Sequence, residues 1–261
     1  MISISRSVPF HDERSETVAR IPIAVQRIRP MHLETSSWPE IEDEAPTAAL
    51  VPVGSTEQHG PHAPVGTDTI IARAIAAAAD REWDGTSVVL PPIPVGIAPY
   101  HGRFPGTLSI SPETLRRYAR DIVDSLAKSC SSIDTVVFVN GHGGNGETLS
   151  HLAREVTESD ATDLTAYRWE WMRALDDHVG HAGELETSVL LHLCPDDVDD
   201  PVAGDATTWA STVDGGVLHE FTDEFSENGA VGDATNASSE QGEEVFVAVV
   251  DALVSFLGRV Q

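Results

Sequence analysis

The chain of 261 residues is poor in cysteine and has no long apolar run. Its two cysteines, Cys130 and Cys194, are too few for the disulfide framework of a small secreted domain. Neither has a second cysteine nearby for a thiolate metal site, and each lies in an apolar, helix-like stretch, so we expect buried free thiols. No segment approaches the roughly 20 apolar residues that cross a bilayer, and the N-terminus lacks the apolar core of a signal peptide. These absences predict a cytoplasmic protein with no membrane partner.

Positive charge is scarce as well, because the chain has a single lysine, Lys128, and only 16 basic residues against 42 acidic ones. The net charge of −26 repels nucleic acids and anionic membranes, so neither is expected as a partner. We interpret the excess of carboxylates as adaptation to high salt, where the Debye length falls to about 3 Å at 1 M and self-repulsion is screened.

The first 30 residues do not share this acidic bias, since they contain five arginines and only three acidic residues. The change in composition falls at Met31. Our hypothesis is that residues 1–30 are a disordered tail or a mis-assigned translation start, and that residues 31–261 form one domain.

Hydrophobic periodicity predicts strands alternating with helices after Met31. The predicted strands are 47–54, 86–96, 134–140 and 163–169, and the predicted helices are 67–83, 111–130, 146–157, 184–194 and 239–260. In the second helix, Leu115, Tyr118, Ile122 and Leu126 are predicted to share the buried face. The alternation favours an α/β fold, a layered α/β/α sandwich with a mostly parallel sheet. A looser acidic stretch at about 195–235 carries no predicted element.

Ionisable residues follow the ends of three predicted strands, where open α/β sheets bind their ligands. These residues are Glu57, His59, His62, Asp68, His101 and His142. Mixed carboxylate and imidazole groups suit Zn²⁺ or Mn²⁺, so the pattern predicts a metal site, with His62 and His101 contacting substrate or merely packing. The glycine-rich "NGHGGNGE" lacks the lysine of a phosphate-binding P-loop, and no G-x-S-x-G motif for a serine nucleophile is present.

Four motifs in the order "VPVGSTEQHGPHAPVGTD", "FPGT", "VNGHGGN" and "HAGELETS" resemble the creatininase (creatinine amidohydrolase) family. The resemblance implies that residues 31–261 form a creatininase-like metallohydrolase domain in a homo-oligomer, often a hexamer. It implies hydrolysis of a non-peptide or cyclic C–N amide bond in a small molecule, creatinine or a related amide, through a metal-activated water. The alternatives are a peptidase that trims a mycofactocin-type precursor peptide and a deformylase of a formylaminopyrimidine in flavin or deazaflavin synthesis. A non-catalytic metal-binding protein is a further alternative.

The resemblance also implies roles for particular residues. Two divalent ions are expected, Zn²⁺ first and Mn²⁺ as an alternative. Glu57, Asp68 and His142 would hold one ion, and His59 and Asp68 would hold the other, with Asp68 as the bridge. His181 corresponds to the catalytic acid–base histidine of the family.

One position departs from creatininase itself. Creatininase has a metal-ligating glutamate two residues after the histidine of its N-G-H motif, and this chain has Gly144 there. Glu186 or Glu147 would have to replace that carboxylate, and we favour Glu186 as both a metal ligand and a catalytic residue. The substrate-side tryptophan of creatininase has no match in register, although Trp169 and Trp171 lie nearby.

Overall fold

A computed structural model describes residues 30–175, 180–209, 212–213, 216–217 and 221–261. The hypothesis about residues 1–30 therefore concerns a segment that lies, except for Pro30, outside the described residues. Among the described helices, none is long and apolar enough to cross a membrane.

Helices and strands alternate along most of the chain. The α-helices are α1 (Trp38–Glu44), α2 (Thr67–Glu82), α3 (Pro112–Ser129), α4 (Gly146–Thr157), α5 (Glu184–Leu193) and α6 (Ser239–Val260). The strands are β1 (Ala48–Val53), β2 (Ser87–Val89), β3 (Thr135–Asn140), β4 (Thr165–Glu170), β5 (Thr212–Val213) and β6 (Gly216–Val217). Short 3₁₀ turns occur at Leu33–Thr35, Pro99–His101, Gly143–Asn145, Trp171–Arg173, Pro195–Asp197 and Thr222–Glu224.

The first four strands form one parallel sheet in the order β2-β1-β3-β4, whereas β5 and β6 form a separate antiparallel pair. Val53 pairs with Asn140, and Asn140 pairs with Glu170, so three strands end level with one another. Loops that leave this carboxyl edge therefore begin side by side.

Helices cover both faces of the sheet, and successive side chains of a strand point to opposite faces. In β3, Val136 and Phe138 pack with α3 and α4, while Val137 and Val139 pack with α2, α5 and α6. This arrangement confirms the predicted layered α/β/α sandwich.

The second strand is much shorter than predicted. We expected a strand within 86–96 that its prolines stop, and β2 ends at Val89. Pro91, Pro92 and Pro94 lack the N–H that a sheet ladder needs. After Val89 the chain still contacts β1, since Leu90 N donates to Leu50 O at 2.9 Å and Ile93 forms a bridge with Val53.

Two predictions about individual side chains were wrong. Tyr118 is 53% exposed, because the buried face of α3 is completed by Ala119 and Val123 instead. Cys130 and Cys194 are free thiols, as expected, but both are only partly buried. Each lies just beyond the last residue of a helix, at the C-cap of α3 or α5, rather than in the core.

Candidate metal centre

The loop after β1 brings two potential ligands back over the end of the sheet. The Glu57 N–H donates to Val65 O at 2.9 Å, and His59 forms a bridge with Ala63, so the loop folds on itself. It then enters α2, whose first turn contains Asp68. Glu57, His59 and Asp68 are all at least 98% buried.

Two other segments complete the cluster. His142 follows β3, where the Asn140 amide donates to His142 O at 2.7 Å and holds the turn. His181 is fixed by a pair of backbone hydrogen bonds with Val231. Glu186 lies in the first turn of α5, and its carboxylate accepts a hydrogen bond from Ala182 N at 2.7 Å.

These side chains form two groups that share Asp68. Glu57, Asp68 and His142 make up one, with His142 Nδ1 3.2 Å from Glu57 Oε1 and 3.3 Å from Asp68 Oδ2. His59, Asp68 and Glu186 make up the other, with His59 Nε2 3.3 Å from Asp68 Oδ1 and 3.7 Å from Glu186 Oε1. Each oxygen of Asp68 thus approaches a different histidine.

A third group combines Glu57 and His59 with His181, whose Nδ1 lies 3.7 Å from Glu57 Oε1. His181 therefore lies close enough to serve either as a ligand or as an acid–base group.

The donor set fits divalent cations. Glu57 Oε2, His59 Nε2 and Asp68 Oδ2 are buried without a hydrogen-bond partner among the described residues. Three carboxylates meet here, and no lysine or arginine among the described residues forms an ion pair with them. Buried carboxylates need a paired charge or a metal, and this mixture of carboxylate oxygen and imidazole nitrogen suits Zn²⁺ or Mn²⁺.

The pKa values show how strongly these groups interact. Burial alone would lower the pKa of His59, but the carboxylates of Glu186 and Asp68 outweigh burial and raise it well above its ordinary value. His142 behaves in the same way beside Glu57 and Asp68. Burial would raise the pKa of Asp68, yet His59 and His142 lower it. The carboxylates of this cluster therefore stabilise positive charge on the groups between them.

Hydrogen bonds to the outer ring nitrogens orient the histidines. His142 Nε2 lies 3.0 Å from Ile97 O, and His59 Nδ1 lies 3.1 Å from Glu57 O. A carbonyl oxygen can only accept, so we assign the ring proton to the nitrogen facing it. With an ion bound, the opposite nitrogen would present its lone pair to that ion, which is the usual arrangement for a metal-binding histidine.

The structure distinguishes between the two glutamates considered as substitutes for the carboxylate missing at Gly144. Glu186 lies in the cluster, whereas the side chain of Glu147 is 91% exposed and lies 3.8 Å from His151 Nε2. A Cβ at position 144 would collide with Ile97 O and would press on the His142 ring. Close packing of the backbone therefore leaves no room for a side chain there.

His62 belongs to none of these candidate metal-binding groups. Its Nε2 lies 2.9 Å from Thr187 Oγ1 in α5, one residue after Glu186. Asn145 has a supporting role, since its side chain donates to Gly54 O and accepts from Ile97 N, both at 3.0 Å.

Several residues near the site were missed by sequence reasoning. Tyr100 Oη lies 3.3 Å from His142 Nε2, and Trp209 packs 5.7 Å from the His181 ring, centroid to centroid. Glu170, at the end of β4, accepts from Asn140 at 3.1 Å. The available signals were a tyrosine beside His101 and a single tryptophan in the acidic stretch at 195–235.

A family model described as "Creatininase: Creatinine amidohydrolase" matches residues 34–257. The chain belongs to the creatininase family. It is accordingly a hydrolase that acts on carbon–nitrogen amide bonds.

The chain is similar in sequence to two named members of the family. The chain is 38% identical over 243 residues to a mycofactocin precursor peptide peptidase of Mycolicibacterium smegmatis, covering 89% of this chain and 92% of that protein. It is 26% identical over 190 residues to a creatinine amidohydrolase of Pseudomonas putida, covering 62% and 72% of the two chains.

Solved structures share the fold. A creatininase crystal structure superposes with a TM-score of 0.75 at 24% identity, covering 88% of this chain and 97% of that one. Two further creatininase structures, with TM-scores of 0.74 and 23% identity, are described as "Mn" and "Zn-Zn type". Each of these two covers 87% of this chain and 97% of its own.

Proposed function

We propose that this chain is a metal-dependent peptidase that hydrolyses an amide bond in a precursor peptide of the mycofactocin type. The position of Asp68 carries the proposed metal dependence. This residue belongs to two groups of buried potential ligands, with Oδ1 near His59 and Oδ2 near His142. Similarity to a named peptidase at 38% identity, over nearly the whole of both chains, supports the peptide as the substrate class.

The proposed ligands are Glu57, Asp68 and His142 for one ion and His59, Asp68 and Glu186 for the other. When bound, divalent ions supply Lewis-acid chemistry, lowering the pKa of water and drawing electron density from a carbonyl group. Zn²⁺ is the first expectation and Mn²⁺ the alternative, since both suit these ligands.

The chain's own contribution to proton transfer centres on His181. Its Nε2 donates to Gln58 O at 2.7 Å, so Nδ1 presents a lone pair toward Glu57. Burial, with His59 and His101 nearby, holds the pKa of His181 well below its usual range. The neutral ring can accept a proton from water at Nδ1 and return it to the departing amide nitrogen.

A second candidate is hydrolysis of creatinine or another small cyclic amide. The relative named creatinine amidohydrolase favours it, because it shares the family and 26% of its aligned residues. Gly144 weighs against it, since the backbone around this glycine excludes the glutamate that the family resemblance places there in creatininase.

The test is metal analysis of the purified chain, followed by incubation with a mycofactocin-type precursor peptide, creatinine and a formylaminopyrimidine. We expect about two ions per chain, as two-metal hydrolases hold, and cleavage of the peptide alone. Turnover of creatinine without the peptide would move the assignment to the second candidate. Absence of bound metal after reconstitution would refute the proposed ligands.

We also propose that the chain assembles as a homo-oligomer, with a hexamer as the first expectation. Trp38 is 75% exposed and Leu108 55% exposed, and apolar side chains of this size are often covered by a partner subunit. Light scattering coupled to size-exclusion chromatography in high salt measures the assembly, and a monomer there would contradict the proposal.

A further inference from the structure

Two histidines of the site stack on each other and share one neighbour. The rings of His101 and His181 lie 4.3 Å apart, centroid to centroid, at 18°. The Nε2 atom of Gln58 lies 2.9 Å from His101 Nδ1 and 2.9 Å from His181 Nε2. All three residues are at least 95% buried, so their N–H groups must find hydrogen-bond acceptors among one another or among other groups that line the site.

The orientation of the Gln58 amide is fixed by the backbone. Gly60 N donates to Gln58 Oε1 at 2.9 Å, which identifies the oxygen, and Gln58 Nε2 donates to Gly229 O at 2.9 Å. An amide nitrogen carries two hydrogens. One of them is therefore committed to Gly229, and a single hydrogen remains for the two histidines.

That hydrogen goes to His101. Because His181 Nε2 already donates its own proton to Gln58 O, it has no lone pair with which to accept another. The remaining Gln58 hydrogen is therefore directed at His101 Nδ1, which must be unprotonated. Thr222 Oγ1, 2.8 Å from the same nitrogen, is compatible because its hydroxyl can donate there or to Tyr100 O at 3.2 Å.

A neutral His101 then carries its proton on Nε2, on the side of the site. This nitrogen lies 3.4 Å from Glu57 Oε1 and is buried without an aligned hydrogen-bond partner among the described residues. His59, His142 and His181 differ, since their outer nitrogens face carbonyl oxygens, so a neutral ring keeps its proton there and has only a lone pair on the inner nitrogen. His101 is thus the histidine of this set that offers a hydrogen to the site.

We propose that His101 is a catalytic hydrogen-bond donor, giving its Nε2–H to the carbonyl oxygen of the scissile amide as negative charge develops there. Gln58 is the positioning residue that sets opposite tautomers in the stacked pair, so that His101 donates and His181 accepts. The amide substrate in this assignment rests on the proposed function. A preorganised donor of this kind contributes about 100-fold to kcat.

The tautomers are tested without any substrate. The full chain, labelled with ¹⁵N-histidine and loaded with Zn²⁺, is examined by two-bond ¹H–¹⁵N correlation, with His101→Gln identifying the His101 signals. We expect His101 to be protonated on Nε2 and bare on Nδ1. A proton on Nδ1 would overturn the proposal, even if no substrate were turned over.

Kinetics with the cleaved amide test the donor role. His101→Leu should lower kcat by about 100-fold with little change in KM or metal content, as expected for a lost oxyanion donor. His101→Gln should recover most of the rate, since a glutamine amide can place an N–H near the Nε2 position. His151→Gln, at an exposed position on α4, is the matched control for removing a histidine.

Two kinetic outcomes would overturn the donor assignment. If His101→Leu lost metal and excess Zn²⁺ restored its rate, His101 would act by holding Glu57 rather than by contacting substrate. If His101→Leu kept the parent kcat, no donor would be needed. A parent chain that cleaves no amide would instead refute the proposed function, while the tautomer measurement would still stand.

Discussion

Replacing Asp68 with asparagine is the most direct perturbation of the proposed metal centre. The substitution keeps the shape of the side chain and removes its charge. Asp68 Oδ1 lies 3.3 Å from His59 Nε2, and Oδ2 lies 3.3 Å from His142 Nδ1, so each group of three ligands loses one member. A single substitution should therefore weaken both sites, whereas loss of any other proposed ligand should weaken one.

The expected magnitude follows from what ligand neighbours contribute. Loss of a residue that only supports a ligand costs about 10–100-fold in metal affinity, so loss of a direct ligand should cost at least about 100-fold. That factor corresponds to about 2.7 kcal/mol at each site, taking about 1.4 kcal/mol for each tenfold change. Asp68→Asn should retain little metal after dialysis.

The same loss should be visible in stability. At free Zn²⁺ about 100 times the dissociation constant, binding at each of the two proposed sites adds about 2.7 kcal/mol to the free energy of unfolding, or about 5.4 kcal/mol together. For a domain of this size each kcal/mol raises Tm by about 2–4 °C. With both sites filled, we expect a Zn²⁺-dependent rise of about 11–22 °C for the parent chain and no more than a few °C for Asp68→Asn.

The assays are elemental analysis after dialysis and thermal unfolding with and without added Zn²⁺. His62→Gln is the matched control, because His62 is a buried histidine of the same loop that belongs to neither metal group. Equal metal content in Asp68→Asn and the parent chain would refute the bridging role of Asp68.

Three further predictions follow from the site and the surface. Glu186→Gln should lower the metal content by about one ion per chain, as expected for one half of a two-metal site, while Glu147→Gln should leave the metal content unchanged. Elemental analysis measures both variants, and equal metal contents would contradict the choice of Glu186. Gly144→Ala should lower the free energy of unfolding by about 1–3 kcal/mol through overpacking. Gly143→Ala should lower it much less, because a Cβ added there would meet no atom within 4 Å. Chemical denaturation measures both variants, and equal losses would refute the steric explanation. Raising KCl from about 0.15 M to about 1 M shortens the Debye length from about 8 Å to about 3 Å and should raise Tm by screening the net charge of −26; a Tm that falls or stays constant would argue against adaptation to salt.

Local sequence patterns were sufficient for most of the secondary structure. The helix predicted over 146–157 matches α4 at both ends, and the helix over 239–260 matches α6. Capping chemistry explains this success for α3, where Ser111 accepts from Thr114 N at 3.1 Å ahead of Pro112. The stretch 86–96 was predicted as a strand stopped by prolines, and the strand itself ends at Val89, ahead of Pro91.

The candidate site divides in the same way. Glu57, His59 and Asp68 are near one another in the sequence, so their chemistry could be predicted from one motif. The preference for Glu186 over Glu147 came from the family resemblance rather than from a local pattern, because both glutamates follow a glycine-containing turn and open a helix. The packing of α5 beside α2 carries Glu186 to Asp68, while Glu147 points to solvent at the start of α4.

By itself, the sequence determined the layered fold class, the residue types of the candidate metal site and the acidic composition, because these depend on periodicity, composition and short motifs. Only the tertiary structure brings Glu186 beside His59 and Asp68 and places Gln58 and Thr222 around His101 Nδ1. Gln58, His101, His181 and Gly229 come from four separate segments, and their hydrogen-bond pattern exists only after those segments have packed together. Proton positions depend on contacts between distant segments, and no local pattern encodes them.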